Sequence, residues 1–311
     1  MKGDLKQLFR QFLIECEFAS KLRPETLRGY SQIFYLFLRL LPEITTSEIN
    51  SIQVTRFFQI LEKRDRILGR GFMRKGIKKS TLATYRSKLN RFFEWLVINK
   101  HLKANPFATI RYPTVTYEDR KFLKREQIEK IFCAIHTSHN NSLFILKRNI
   151  LMFHFLLFCG LRREELLMLK VRDVDIERKM VTIRSETSKS QKTRHLPLHS
   201  EIILRYKDYI SLRKAFTTPY LFVSKSRDDK LTHDGLKHLI TNLINVSGVR
   251  FHVHQFRHTF AMNYLKQSNN IFKLKQLLGH SDIKMTVIYL RQMPTDELRS
   301  DVESMSIDNL I

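Results

Sequence analysis

Apolar residues recur at three- and four-residue spacing along most of this 311-residue chain, and the period changes to alternation only in one short stretch between 180 and 198. Such a pattern confines the fold to a mainly helical one carrying a small β-hairpin. Leu5 to Phe18 reads as one amphipathic helix. Pro24 at a first helical position, followed by Leu27, Tyr30, Ile33, Phe34, Phe37 and Leu41, makes a second. Thr45 to Ile52 leads into a third with Phe57, Phe58 and Leu61, and Thr45 and Glu48 stand at capping-box spacing. A fourth runs from about Ser80 to Asn99. Between the last two, Arg64 to Lys79 holds seven bases (Arg64, Arg66, Arg70, Arg74, Lys75, Lys78, Lys79), one acid and three glycines. This is too Gly-rich for a helix and is expected to be a loop, so the first half reads as all helical.

Asn105 and Pro106 close this unit, which gives a helical domain over 1–110, a polar linker over 111–122 and a second domain over 123–311 with a tail at 295–311. The second domain is expected to hold helices around Arg125 to Ala134, up to Cys159-Gly160, and from Arg162 to Leu169. Strands at Met180 to Ile183 and Arg194 to Leu198 flank a polar turn, and helices resume from Ser200. The fold class is therefore mainly α.

Charge narrows the partner. Fifty-five Lys and Arg against 30 Asp and Glu leave +25, which calls for a polyanion, with nucleic acid the first expectation. The longest apolar run, Ile150 to Cys159, is too short to span a bilayer. Neither a lipidation signal nor a secretory signal is evident, so no membrane association and a cytoplasmic location are expected. Cys16, Cys133 and Cys159 are widely spaced in apolar surroundings and read as buried free thiols rather than as a disulfide framework or a zinc site.

Taken singly, the polar residues of the second domain say little. Arg162 is a base near a helix start, Glu165 is its i,i+3 ion-pair candidate, His254 and Arg257 share that spacing, His280 follows Leu278-Gly279, and Tyr289 sits among apolar residues where core tyrosines are common. Together and in this order they say more. CGLRREEL at 159–166, HQFRHTFA at 254–261, LLGH at 277–280 and Tyr289 nine residues later resemble the signature of the tyrosine recombinase, or phage integrase, family. The first half resembles that family's helical, SAM-like core-binding domain, down to its closing Asn-Pro. One departure is Ser268-Asn269-Asn270, where a helix-ending glycine is usual; asparagine tolerates the left-handed conformation as well.

The resemblance implies an enzyme that cleaves and rejoins DNA through a covalent phosphotyrosine on Tyr289, and the chemistry of the residues agrees. An anionic phosphodiester must be neutralised as a nucleophile approaches, a task for the planar forks of Arg162 and Arg257. Glu165 would hold Arg162 in aim. The Tyr289 phenol, with an ordinary pKa of about 10, needs a base, for which His254 is the candidate. His280 would donate to a non-bridging oxygen. Lys189, in the hairpin turn SKSQKTRHLPL, matches the family's catalytic lysine and would protonate the leaving 5′ oxygen, with Lys192 as substitute. His258 reads as structural. His252, His254 and His258 invite a metal site, but no carboxylate set accompanies them, and neither metal nor nucleotide cofactor is expected.

The implied partners are double-stranded DNA and further protomers: a homotetramer on two paired sites, or a heterotetramer with a related recombinase, with accessory proteins in some systems. The chain resembles Xer-type and simple transposon-encoded recombinases alike. A DNA-relaxing or hairpin-forming enzyme with the same chemistry, and a catalytically silent DNA-binding protein, are the alternatives. The tail Thr295 to Ile311, with five acids, one base and an apolar stripe of Leu298, Val302 and Met305, is expected to dock on a neighbouring protomer or on its own domain.

Overall fold

The structure, a computed structural model, describes residues 4–67, 71, 73–110, 122–138, 142–187 and 192–291. The chain divides into two compact units, Met1–Glu118 and Asp119–Ile311.

The first unit is built from α1 (Leu5–Phe18), α2 (Pro24–Leu40), α3 (Ser51–Lys63) and α4 (Lys79–Ile98). Pro24 stands in the first turn of α2, where its missing N–H costs nothing. Asn50 caps α3 through its side chain. Thr45 and Glu48 do form a box, the Glu48 carboxylate accepting from the Thr45 N–H at 2.8 Å, but it starts a single 3-10 turn, Thr46–Glu48, rather than α3.

The four helices face an aromatic interior. Phe9 stacks on Phe34 at 3.8 Å, Phe92 meets both rings edge-on, and Phe37 meets Phe57 at 5.1 Å. Asn105 shows why Asn-Pro ends the unit: its side chain accepts from the Phe107 N–H and donates to Asn90, which turns the chain so that Phe107 packs on Phe93 and Phe58.

An all-helical reading of this unit needs correction. Within the expected loop, β1 (Asp65–Ile67) pairs antiparallel with β2 (Met73–Lys75), and Lys79 already belongs to α4. Positive φ at Gly71 and Gly76 turns the chain, and a Cβ at Gly76 would lie 2.4 Å from the Glu62 carbonyl oxygen, so the glycines that argue against a helix permit a ribbon instead.

The second unit wraps around α6 (Leu143–Cys159), whose consecutive residues Ile150 to Phe153, Phe155 and Leu156 are all buried, as a helix apolar on every face must be. Around it lie α5 (Arg125–Ser138), α8 (Ser200–Leu212), α9 (His233–Ser247) and α10 (Val253–Ser268). A three-stranded antiparallel sheet, β3 (Val174–Asp175), β4 (Met180–Ile183) and β5 (Arg194–Pro197), includes the expected hairpin, with Val181 opposite Leu196, and adds an edge strand that two residues of sequence do not announce. The helix expected from Arg162 to Leu169 is shorter: α7 spans Arg163–Leu167 with Arg162 as its N-cap.

Two short helices complete the described chain. Asn269 takes the left-handed conformation (φ 47°) that ends α10, Asn270 caps α11 (Ile271–Leu278), and α12 is Lys284–Leu290. Together α10, α11 and α12 enclose a separate small core of Ala261, Met262, Leu265, Leu274, Leu278 and Tyr289. The thiols divide: Cys16 and Cys159 are buried, but Cys133 is exposed, because it falls on the outer face of α5.

Candidate active site

A helix leaves its last carbonyls without partners, and those oxygens are where the site begins. Helix α6 ends at Gly160, which is left-handed (φ 58°), and a Cβ there would lie 2.5 Å from the Phe260 ring. Helix α11 ends likewise at Gly279 (φ 62°). The fully buried Arg257, on α10, bridges the two turns: its terminal nitrogens donate to Gly160 O at 2.7 Å and to Leu278 O at 2.6 Å. Arg162 donates to Gly279 O at 3.2 Å and to Glu165 at 2.8 Å. Both guanidinium groups thus rest on the negative ends of helices, and five N–H bonds per guanidinium leave donors beyond those spent on the backbone.

Arg257 and Arg162 interact electrostatically. Burial first, and then the Arg162 charge, depress the Arg257 guanidinium to about 9, while Glu165 and Tyr289 oppose that fall. It remains charged at neutral pH.

Glu165 is almost wholly enclosed and holds more than Arg162. Arg194, on β5, places one terminal nitrogen on each of its carboxylate oxygens, at 2.9 and 2.8 Å, and donates through Nε to Leu277 O. Burial alone would raise the Glu165 carboxyl, but Arg194, the Arg162 N–H and the Arg162 charge override it and hold it down to about 2. Arg194 is absent from the residues the motifs single out. A signal was available: β5 alternates buried and exposed from Arg194 onward, so an arginine occupies an inward position and must find a carboxylate.

The Tyr289 phenol, with the side chain fully buried, lies 2.8 Å from His258 Nδ1, and the His254 and His258 rings pack nearly perpendicular at 4.6 Å between centroids. His258, read as structural from sequence, is thus in direct contact with Tyr289; lying one helical turn from His254, on the same face, was the available hint. His280 is buried with Nδ1 2.9 Å from the Thr286 hydroxyl. Among the described residues, no three His, Cys, Asp or Glu side chains are grouped to hold a metal ion.

The structure thus gathers Arg162, Glu165, Arg257, His254, His280 and Tyr289 around the ends of α6 and α11. Lys189 lies outside the described residues; Lys192 is described and exposed. Of the seven bases in the N-terminal unit, Arg70 lies outside the described residues, Arg64 and Arg66 are half-buried, and Arg74, Lys75, Lys78 and Lys79 are exposed. The tail 295–311 is likewise outside, as is nearly all of 111–122. No described helix is long and apolar enough to cross a membrane.

Paired arginines mounted on helix ends beside a tyrosine on the next helix are the equipment of a phosphoryl-transfer enzyme with a phenol nucleophile. The family model described as the phage integrase family matches residues 121–295, and the chain belongs to that family, the tyrosine recombinases, enzymes that cut and rejoin DNA. It is 28% identical over 248 residues to a tyrosine recombinase of Pseudothermotoga lettingae, covering 80% of each chain. It is 26% identical over 309 residues to tyrosine recombinase XerC of Bacillus pumilus, covering 96% of this chain and 94% of that one. Its fold is similar to that of the Tn1549 transposon integrase in complex with transposon right end DNA (TM-score 0.76, 18% identity, 97% and 99% covered). It is also similar to that of XerH recombinase bound to difH substrate (TM-score 0.66, 20% identity, 95% and 83% covered).

Proposed function

We propose that this chain performs site-specific strand exchange on double-stranded DNA with Tyr289 as nucleophile and Arg162 and Arg257 as the phosphate clamp. The observation that carries the reading is the mounting of both guanidinium groups on helix-end carbonyls, with Tyr289 near enough to Arg257 to act on its guanidinium.

The phosphate of one strand binds between the two forks, and His280 donates to a non-bridging oxygen. Tyr289 Oη forms a bond to phosphorus while the bond to the 5′ oxygen breaks; Lys189 gives that oxygen its proton, and an imidazole beside the phenol takes the one Tyr289 loses. The 3′-phosphotyrosyl ester keeps the energy of the broken diester, so a 5′ hydroxyl from a second duplex restores the backbone by the reverse steps. The ribbon bases Arg66, Arg74 and Lys75, with Arg64, Lys78 and Lys79 beside them, grip phosphates, and protomers assemble as a tetramer on two paired sites. The solved neighbours bound to transposon end DNA and to difH support the DNA partner, and a lambda integrase tetramer bound to a Holliday junction supports the assembly.

The target sequence can be found by the same experiment that tests the chemistry. A pool of nicked duplexes with randomised sequence is incubated with the full chain, and covalent protein–DNA adducts are isolated under denaturing conditions and sequenced. Wild type should yield adducts enriched in one site, and Tyr289→Phe none. Adducts from the Phe variant, or none from wild type, would overturn the assignment.

A further inference from the structure

The phenol that this reading makes the nucleophile does not meet the histidine of the His-x-x-Arg box. It meets the next one along the helix: His258 Nδ1 lies 2.8 Å from Tyr289 Oη, both side chains buried, with the His254 ring packed nearly perpendicular to that of His258. We propose that His258 is the group that accepts the Tyr289 proton when phosphorus is attacked, and that returns it when the strand is rejoined.

Acid–base strength sets the direction of that hydrogen bond. A phenol, with a pKa of about 10, is a good donor and a poor acceptor, whereas the bare nitrogen of a neutral imidazole is the strongest neutral acceptor a side chain offers. Oη therefore donates and Nδ1 accepts, with the imidazole hydrogen on Nε2. His154 in α6 is the contrast within this protein: its Nδ1 faces the Ile150 carbonyl oxygen at 2.7 Å, which only accepts, so there Nδ1 must carry the hydrogen. His258 occupies a similar helical setting, yet its Nδ1 is turned onto another helix.

The surroundings favour the transfer once DNA is bound. His254 faces His258 from its own helix, and Tyr289 faces it from α12. Beyond Tyr289 stands the cluster of Arg257, Arg162, Arg194 and Glu165. On α6, Lys147 and Arg148 are committed to Asp208 and Val223 O, His154 to Ile150 O, and burial pushes the Cys159 thiol up to about 12, so it stays neutral. Lys273 and Lys275 are the bases of α11, and His280, just past it, is engaged with Thr286. Positive charge near an imidazole opposes its protonation, and a phosphate bound between Arg162 and Arg257 would offset theirs. In the step itself, the Oη–H bond breaks as Oη bonds to phosphorus, the proton moves to Nδ1, and the departing 5′ oxygen takes a separate proton from the acid.

His258→Asn isolates the proton from the hydrogen bond, because its amide oxygen can accept from Oη but cannot be protonated. Single-turnover adduct formation would be followed with the site recovered from the nicked pool, from about pH 6 to about pH 9. Wild type should rise through one imidazole titration and then level. His258→Asn should be slower by at least about a hundredfold at neutral pH and climb about tenfold per pH unit, as the phenolate fraction supplies what the base no longer does. His254→Asn should lower the rate but keep the levelling profile. A His258→Asn protein with the wild-type profile, at any rate, would overturn the proposal, as would a climbing profile in His254→Asn alone. A second measurement needs no DNA. Nitrogen-15 spectra of labelled histidine should show His258 as the Nε2–H form, its Nδ1 shifting in Tyr289→Phe, and a hydrogen found on Nδ1 would likewise sink it. Adducts from Tyr289→Phe would fell the underlying function instead, which the two assays tell apart.

Discussion

The two units solve the interior in opposite ways. Among the described residues, every buried polar or charged side chain, from Arg148 to Thr286, belongs to the second unit, while the first packs phenylalanines against one another with no buried ionisable group beyond Cys16. A core of rings needs only shape and apolar area, and tolerates exchange of one apolar residue for another. A core that encloses Glu165 between Arg162 and Arg194 needs each partner in place, because removing one leaves an uncompensated charge in a dry setting. The contrast teaches where function constrains this sequence: the first unit has to be stable and basic on its surface, and the second has to hold charges where water would otherwise disperse them.

Acid offers the strongest way to break that comparison. Glu165 is held at about 2 against an ordinary value of 4.5. Its folded form is the depressed one, so its contribution to stability is complete above about pH 4.5 and is lost as pH falls through about 2, amounting to roughly 3 kcal/mol. Thermal melts of the full chain should show the transition of the second unit falling through this window while that of the first changes far less. Glu165→Gln should flatten the response. Equal responses from both units would dissolve the distinction.

The clamp sharpens it in terms of rate. Arg257→Lys keeps a charge but loses the fork that spans Gly160 O and Leu278 O, and Arg162→Lys loses the reach to Gly279 O and Glu165 together. Each should slow adduct formation by at least about a hundredfold while DNA affinity changes little. Parallel losses in affinity and rate, measured on one trapped site, would reduce the two residues to ordinary phosphate contacts.

The smallest expected effect concerns the first unit. In its ribbon Arg66 lies directly opposite Arg74, a like-charge pair that costs stability unless an anion joins it. Ile67 and Met73, also paired, are 78% and 65% exposed. Replacing Arg66, Arg74, Lys75 and Lys78 by Gln should weaken binding on all sequences and flatten the dependence of affinity on salt, by about one unit of slope for each phosphate no longer neutralised. An unchanged slope would place the ribbon away from DNA.

Much of this architecture was legible before the structure. Helices α1, α2, α4, α5 and α6 follow from apolar period and helix-end residues, and the four motifs single out Arg162, Arg257, His280 and Tyr289. What stayed hidden depends on pairings between residues distant in sequence. Arg194 meets Glu165 across 29 positions, and His258 meets Tyr289 across 31. No local period encodes either pairing. The ribbon was missed for a different reason. Its strands are three residues each, too short for alternation to stand out from a run of bases, and glycine marks turns of every kind alike.

The Gly160 and Gly279 turns bear on how such an enzyme can wait. A cation pair that needed an anion to hold it would fly apart in the free protein and would have to be rebuilt at each encounter. Here the backbone of two helix ends already serves as the resident counter-charge. Arrival of a phosphate then demands little rearrangement of the grip, and residence on ordinary DNA need not disturb it. Commitment is left to a lightly built element. Helix α12 is seven residues long and carries the proposed nucleophile, Tyr289, with no surface exposed. Timing, on this view, is separated from recognition: the grip is permanent, and what must be released is the tyrosine.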